Sequence, residues 1–61
     1  MLRTLIEQHL KTWRIPPTRF GRDVVGDPRF VFDLRDGREP RLRTETRVRA
    51  HIAAFEQGRR Q

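Results

Sequence analysis

The stretch Phe20-Gly21-Arg22-Asp23-Val24-Val25-Gly26-Asp27-Pro28-Arg29-Phe30-Val31-Phe32-Asp33-Leu34-Arg35-Asp36-Gly37 decides the fold. It reads as two short helices around one tight turn. Pro17, a little upstream, suits a first helical position, where a missing N–H costs nothing. Phe20 and Val24 then form an i,i+4 apolar pair, and the first of the two helices spans about 17–25. Gly21 lies inside it at a cost of about 1 kcal/mol relative to alanine, so the reading assigns it to the close approach of a neighbouring helix. Gly26 can take positive φ and make the turn. Asp27 is an N-cap candidate, Pro28 an N1 candidate and Gly37 a helix stop, which together predict a helix over about 28–36. Phe30-Val31-Phe32 also has strand propensity, but the Asp-Pro start and the glycine stop decide for helix.

Outward from this centre, the flanking segments complete the set. Leu2, Leu5, Ile6, His9, Leu10 and Trp13 recur at spacings of three and four, which predicts an amphipathic helix over 2–13. Ile15 and Pro16-Pro17 end it, because a residue before proline avoids the α region. Val48, Ile52 and Phe55 make an i, i+4, i+7 stripe, and Ala50, Ala53 and Ala54 favour helix. With Thr44 as N-cap candidate and Gly58 as stop, a fourth helix is expected over about 44–57, followed by a frayed end. Between the third and fourth helices, residues 38–43 read as an extended, arginine-rich loop with Leu42 as its one apolar anchor. The expected fold is all-α: one compact four-helix domain, residues 1–61, with a central helix-turn-helix.

Composition narrows the function. The 61 residues carry 14 Lys+Arg against 8 Asp+Glu, a net charge of +6, and Lys11 is the only lysine. A guanidinium fork binds phosphate oxygens and guanine edges in bidentate fashion, whereas an ammonium acts as a point charge. The arginine excess therefore suggests a polyanion, with nucleic acid the first candidate. The plainer reading is arginine usage set by a GC-rich genome, with the charge serving solubility. Nine of the arginines lie within Arg19–Arg49, whereas 2–13 holds only Arg3 and Lys11 against Glu7. That distribution predicts a charge polarised to one side of the domain. Cys, Ser, Tyr and Asn are absent. Disulfides, Cys-based zinc sites and the Ser, Cys and Tyr nucleophiles fall with them, so neither an enzyme nor a cofactor is expected. The longest apolar run is Ile52–Phe55. That is far below the about 20 residues of a membrane helix, so no membrane partner and no signal peptide are expected.

The segment Phe20–Arg38 resembles the core of lambda-repressor/Cro-type helix-turn-helix proteins. It carries their large-apolar-then-small pair (Phe20-Gly21), apolar-glycine turn (Val25-Gly26) and glycine-closed third helix with a basic, proline-containing loop (Gly37-Arg38-Glu39-Pro40). The likeness covers about Ile15 to Phe55. It is also similar to very short regulators of alphaproteobacterial genomes and prophages with a Gly-Asp-Pro-x-Phe-Val turn and helix. The chain departs from the common pattern in a turn about one residue shorter and in Pro17, where the family often carries a DNA-contacting glutamine. The resemblance implies sequence-specific binding of double-stranded DNA with the third helix in the major groove. It further implies regulation, repression first, of a phage or mobile-element promoter in the cytoplasm, at the nucleoid. A homodimer on a palindromic site is expected, either using spare apolar surface on the first or fourth helix or forming only on DNA.

Within that frame the residues divide by task. At about 100° per residue from Phe30, Leu34 and Val31 face the core, while Arg29, Phe32, Asp33 and Asp36 face outward and Arg35 sits on the flank. Arg29 suits guanine O6/N7, Asp33 a cytosine amine and Phe32 a thymine methyl. Arg35 reads as a base or phosphate contact. No Asn exists to read adenine and no Gln lies in the third helix, so G·C pairs are expected at the main positions. Thr18, Arg19 and Arg22 on the second helix, and Arg38, Arg41, Arg43 and Thr44 after the third, are the expected phosphate contacts. The alternative for Arg29 and Asp33 is an i,i+4 ion pair on a solvated face. The alternative for the whole domain is a protein-interaction module for RNA polymerase or a toxin, its arginines only solubilising. His9 and His51 are expected at the edge of the core, and Trp13 in it, closing the first helix on the fourth.

Overall fold

The computed structural model describes residues 2–58 of the chain. They form four α-helices: α1 (Leu2–Trp13), α2 (Pro17–Val25), α3 (Phe30–Arg35) and α4 (Leu42–Gly58). The described residues contain no strand, and the all-α expectation holds. The expected frayed end, residues 59–61, lies outside them.

α1 and α2 have the expected bounds, and each ends through one left-handed residue. Arg14 (φ 54°) follows α1, and the Ile15 amide donates back to the Leu10 carbonyl at 3.0 Å. Such a bond satisfies a carbonyl that the helix leaves free, and it turns Ile15 in against the core. Gly26 (φ 72°) follows α2, and its amide donates to the Arg22 carbonyl at 3.0 Å. Gly21 is constrained by space: a Cβ there would lie 2.3 Å from the Asp27 carbonyl oxygen and 3.2 Å from the Phe30 Cβ. The close neighbour is thus the turn itself and the head of α3. The Asp27 amide, donating to the Gly21 carbonyl at 3.2 Å, ties the turn to that spot.

α3 is shorter than the expected 28–36. Asp27 does cap, but it caps a turn: its Oδ1 accepts from the Arg29 amide at 2.9 Å, and its carbonyl accepts from the Phe30 amide at 3.1 Å. This local competition for the backbone holds Pro28 and Arg29 outside the helix. At the other end Gly37 (φ 99°) donates to the Leu34 carbonyl, and the Arg38 amide to the Asp33 carbonyl, each at 3.0 Å. The glycine stop is where the sequence puts it.

α4 begins two residues earlier than expected. The Glu45 amide already donates to the Arg41 carbonyl at 2.9 Å, so Thr44 lies within the first turn and is not the N-cap. Leu42 is likewise not an anchor. It opens the helix with 78% of its surface exposed. The register that buries Val48 and Ile52 points position 42 away from the core, since it lies six residues before Val48 and not three, four or seven.

The core is drawn from every helix: Leu2, Ile6 and Leu10; Phe20 and Val24; Phe30, Val31 and Leu34; Val48 and Ile52. α3 packs on α2 and α1, and α4 packs on the same two. His9 is buried with them at 1% exposure. Its ring meets Phe20 and Phe55 edge-on at 5.6 and 5.0 Å, and its Nδ1 lies 3.3 Å from Glu56 Oε2. Trp13 is half-buried. Its Nε1 donates to the same carboxylate at 3.4 Å and its ring meets Phe55 at 5.5 Å, which closes α1 on α4. His51 sits at the core edge, 5.7 Å from the Phe20 ring.

Candidate nucleic-acid interface

α3 buries one face and offers the other. Phe30, Val31 and Leu34 are 8%, 0% and 6% exposed, whereas Phe32 is 42% exposed. This is the angular division the sequence predicts. Phe32 is thus the large apolar side chain that α3 presents on its open face. Arg29 stands exposed at the head of the helix, and its guanidinium pairs with no carboxylate among the described residues. The 29–33 ion pair of the alternative reading does not form.

Asp33 pairs elsewhere. It is half-buried, and its Oδ2 accepts from Arg38 Nη1 at 3.1 Å across the end of the helix. Gly37 makes this contact possible, because its left-handed turn swings Arg38 back over α3. Asp33 and Arg38, expected to read a base and a phosphate separately, are therefore one coupled pair.

Arg35 is exposed on α3, and its fork is engaged by α1. Its Nε and Nη2 grip the two carboxylate oxygens of Glu7 on α1, each at 2.8 Å. The hydrogen bond from Arg35 outweighs the opposing effect of burial and, with the charges of Arg35 and Arg3 adding to it, holds Glu7 below the usual carboxylate range. The same bond raises Arg35. A fork committed to a carboxylate is not available to a base or phosphate, so Arg35 is set apart from the readers. Its guanidinium carbon lies 5.5 Å from the centre of the Phe32 ring.

The expected phosphate contacts are exposed except for half-buried Thr44, and they do not lie in one cleft. Arg22, Arg41 and Arg43 have no carboxylate partner among the described residues, and Arg19 has only Asp23, at 3.7 Å. Arg19 borders a hollow with Trp13, Phe20 and His51. Arg38 borders a second with Leu2, Arg3 and Arg49. Arg43 and Thr44 border a third with Val25, Thr46 and Arg47. Thr18 is exposed in the first turn of α2. Sequence reasoning passed over Thr46 and Arg47, although the 43–47 spacing of two like charges on one helix face is visible in the sequence. It also missed Glu7, for which no local signal exists.

Among the described residues no group of three or more His, Cys, Asp or Glu side chains could hold a metal ion. No described helix is long and apolar enough to cross a membrane. Phe32 and Leu42 are the large exposed apolar side chains. Comparison with known proteins found no matching family model, no matching curated protein and no matching solved structure.

Proposed function

We propose that this domain is a small DNA-binding transcription regulator that reads a duplex through the outward face of α3. The observation that carries the reading is the division of that helix: three apolar residues buried, with Phe32 and the unpaired Arg29 presented beside the Asp33–Arg38 pair. An α-helix with its side chains is roughly 10–12 Å across, which suits a major groove about 12 Å wide. Arg29 would read guanine, Phe32 a thymine methyl, and Arg38, oriented by Asp33, would meet the backbone or a base edge. Arg22, Arg41 and Arg43, with Arg19, would neutralise phosphates. The same reading has the domain repress a phage or mobile-element promoter as a dimer on a palindrome, in the cytoplasm at the nucleoid.

Selection of bound duplexes from a random pool tests this. The expected result is a site with G·C pairs at the main positions, and log K falling against log salt with a slope near about −4.5 if five phosphates are neutralised. Arg29→Ala should weaken the selected site by about 1–3 kcal/mol and relax one position. A flat salt response and no enriched sequence would remove the proposal. A protein partner is the second reading, and the exposure of both Phe32 and Leu42 favours it. It predicts that Arg29→Ala and Arg38→Ala leave retention on DNA unchanged.

A further inference from the structure

We infer that Glu7, on α1, is a positioning residue for base recognition by Phe32, acting through Arg35. The inference rests on the DNA-binding reading above and adds to it a residue from outside the helix-turn-helix. Three observations join in one chain. Glu7 holds Arg35 through two bonds of 2.8 Å, a fork that fixes the guanidinium plane as well as its place. The fixed guanidinium stands over the Phe32 ring at 5.5 Å, a cation–π distance. Phe32 is the exposed aromatic of the six-residue α3, with 42% of its surface open to solvent.

The physical need is specific. A thymine methyl is small, and contact with it discriminates only if the ring is held where the methyl will be. A phenylalanine on a solvated face is free to change rotamer, and ordering it on binding costs free energy. Arg35 over one side of the ring removes part of that freedom beforehand. Without Glu7, Arg35 is a flexible exposed cation that no longer holds its guanidinium plane over the ring. The expected consequence is loss of methyl discrimination with little loss of general DNA affinity.

The experiment takes the selected duplex and replaces each thymine in turn with uracil, which removes only the methyl. For the unaltered protein one replacement should weaken binding about fourfold, the value of one buried methyl-sized group. Glu7→Gln, which keeps the shape and loses the charge, should bring that ratio below about twofold while the salt slope stays the same. Arg35→Lys, which keeps the charge and loses the fork, should do the same, and Phe32→Ala should abolish the ratio. Glu45→Gln breaks the exposed Glu45–Arg49 pair on α4 instead and should leave the fourfold ratio intact. Circular dichroism of each variant separates loss of discrimination from loss of fold. Discrimination kept in folded Glu7→Gln overturns the inference and leaves the DNA reading standing. So does binding by the unaltered protein with no thymine preference at any position. If no duplex is bound, the parent reading fails.

Discussion

α1 and α2 stop in the same way, by one residue turned left-handed, but α1 uses Arg14 where α2 uses Gly26. For an arginine this backbone costs about 1–2 kcal/mol, while for glycine it costs almost nothing. The difference shows two ways of fixing a helix end. At α2 the backbone does the work: Gly26 turns, and the chain folds back until the Asp27 carbonyl rests against Gly21. At α1 side chains add to the one backbone bond from Ile15 to Leu10: Ile15 packs inward and Trp13 reaches Glu56. The α2 end is rigid and free of strain. The α1 end carries strain, and its contacts mix apolar packing by Ile15 with the Trp13–Glu56 hydrogen bond.

The strongest way to break the comparison is Gly21→Ala. Its Cβ would meet a backbone carbonyl, which cannot rotate aside as a side-chain tip could. A loss of about 3 kcal/mol is expected, at the upper end of overpacking costs. That is a large share of the total stability of a domain this size, on the order of 3–9 kcal/mol. Urea unfolding measures it, and a loss below about 1 kcal/mol would show that the turn can move.

Gly26→Ala should cost less, about 1–2 kcal/mol, because nothing lies within 4 Å of the added carbon and only the backbone conformation resists. Arg14→Gly should have the opposite sign, a gain of about 0.5–1 kcal/mol, once the extra freedom of glycine in the unfolded chain is subtracted. Equal signs at positions 14 and 26 would refute the strain argument.

The smallest effect is the one that depends on pH. Glu7 is held below its ordinary 4.5, so its contribution is complete above that value and is lost as pH falls through the lowered one. The stability gap between the unaltered protein and Glu7→Gln should therefore narrow below about pH 4.5. The gap to Gly26→Ala should change little over the same range. Parallel acid titrations followed by circular dichroism decide it.

What the sequence disclosed follows the same divide between backbone and side chain. Pro16-Pro17, Gly26 and Gly37 act on their own φ angles, so the ends of α1, α2 and α3 were legible at those residues. The apolar spacing in α1 placed Leu10 in the core and His9 only at its edge, where the structure buries it fully, and the angular count on α3 separated Phe32 from Phe30 correctly. The start of α3 was not legible, because an aspartate before proline can cap a helix or close a turn, and here it closes a turn. The start of α4 was misread for a related reason: Thr44 has the chemistry of a cap, but helix geometry was already established at Leu42. The commitments of Arg35 to Glu7 and of Arg38 to Asp33 decide which arginines remain free. The first spans 28 residues and depends on how α3 packs against α1, which no local pattern encodes.

The contact at Gly21 has one more consequence. It joins backbone to backbone, so the angle between α2 and α3 owes little to the side chains on the outer face of α3. Arg29 and Phe32 can then be exchanged for other residues without tilting the helix that carries them. Asp33 and Arg38 can be exchanged as a pair. On the proposed DNA-binding reading, the domain would separate a fixed mount from a replaceable reading head, with new specificities open through a handful of surface substitutions.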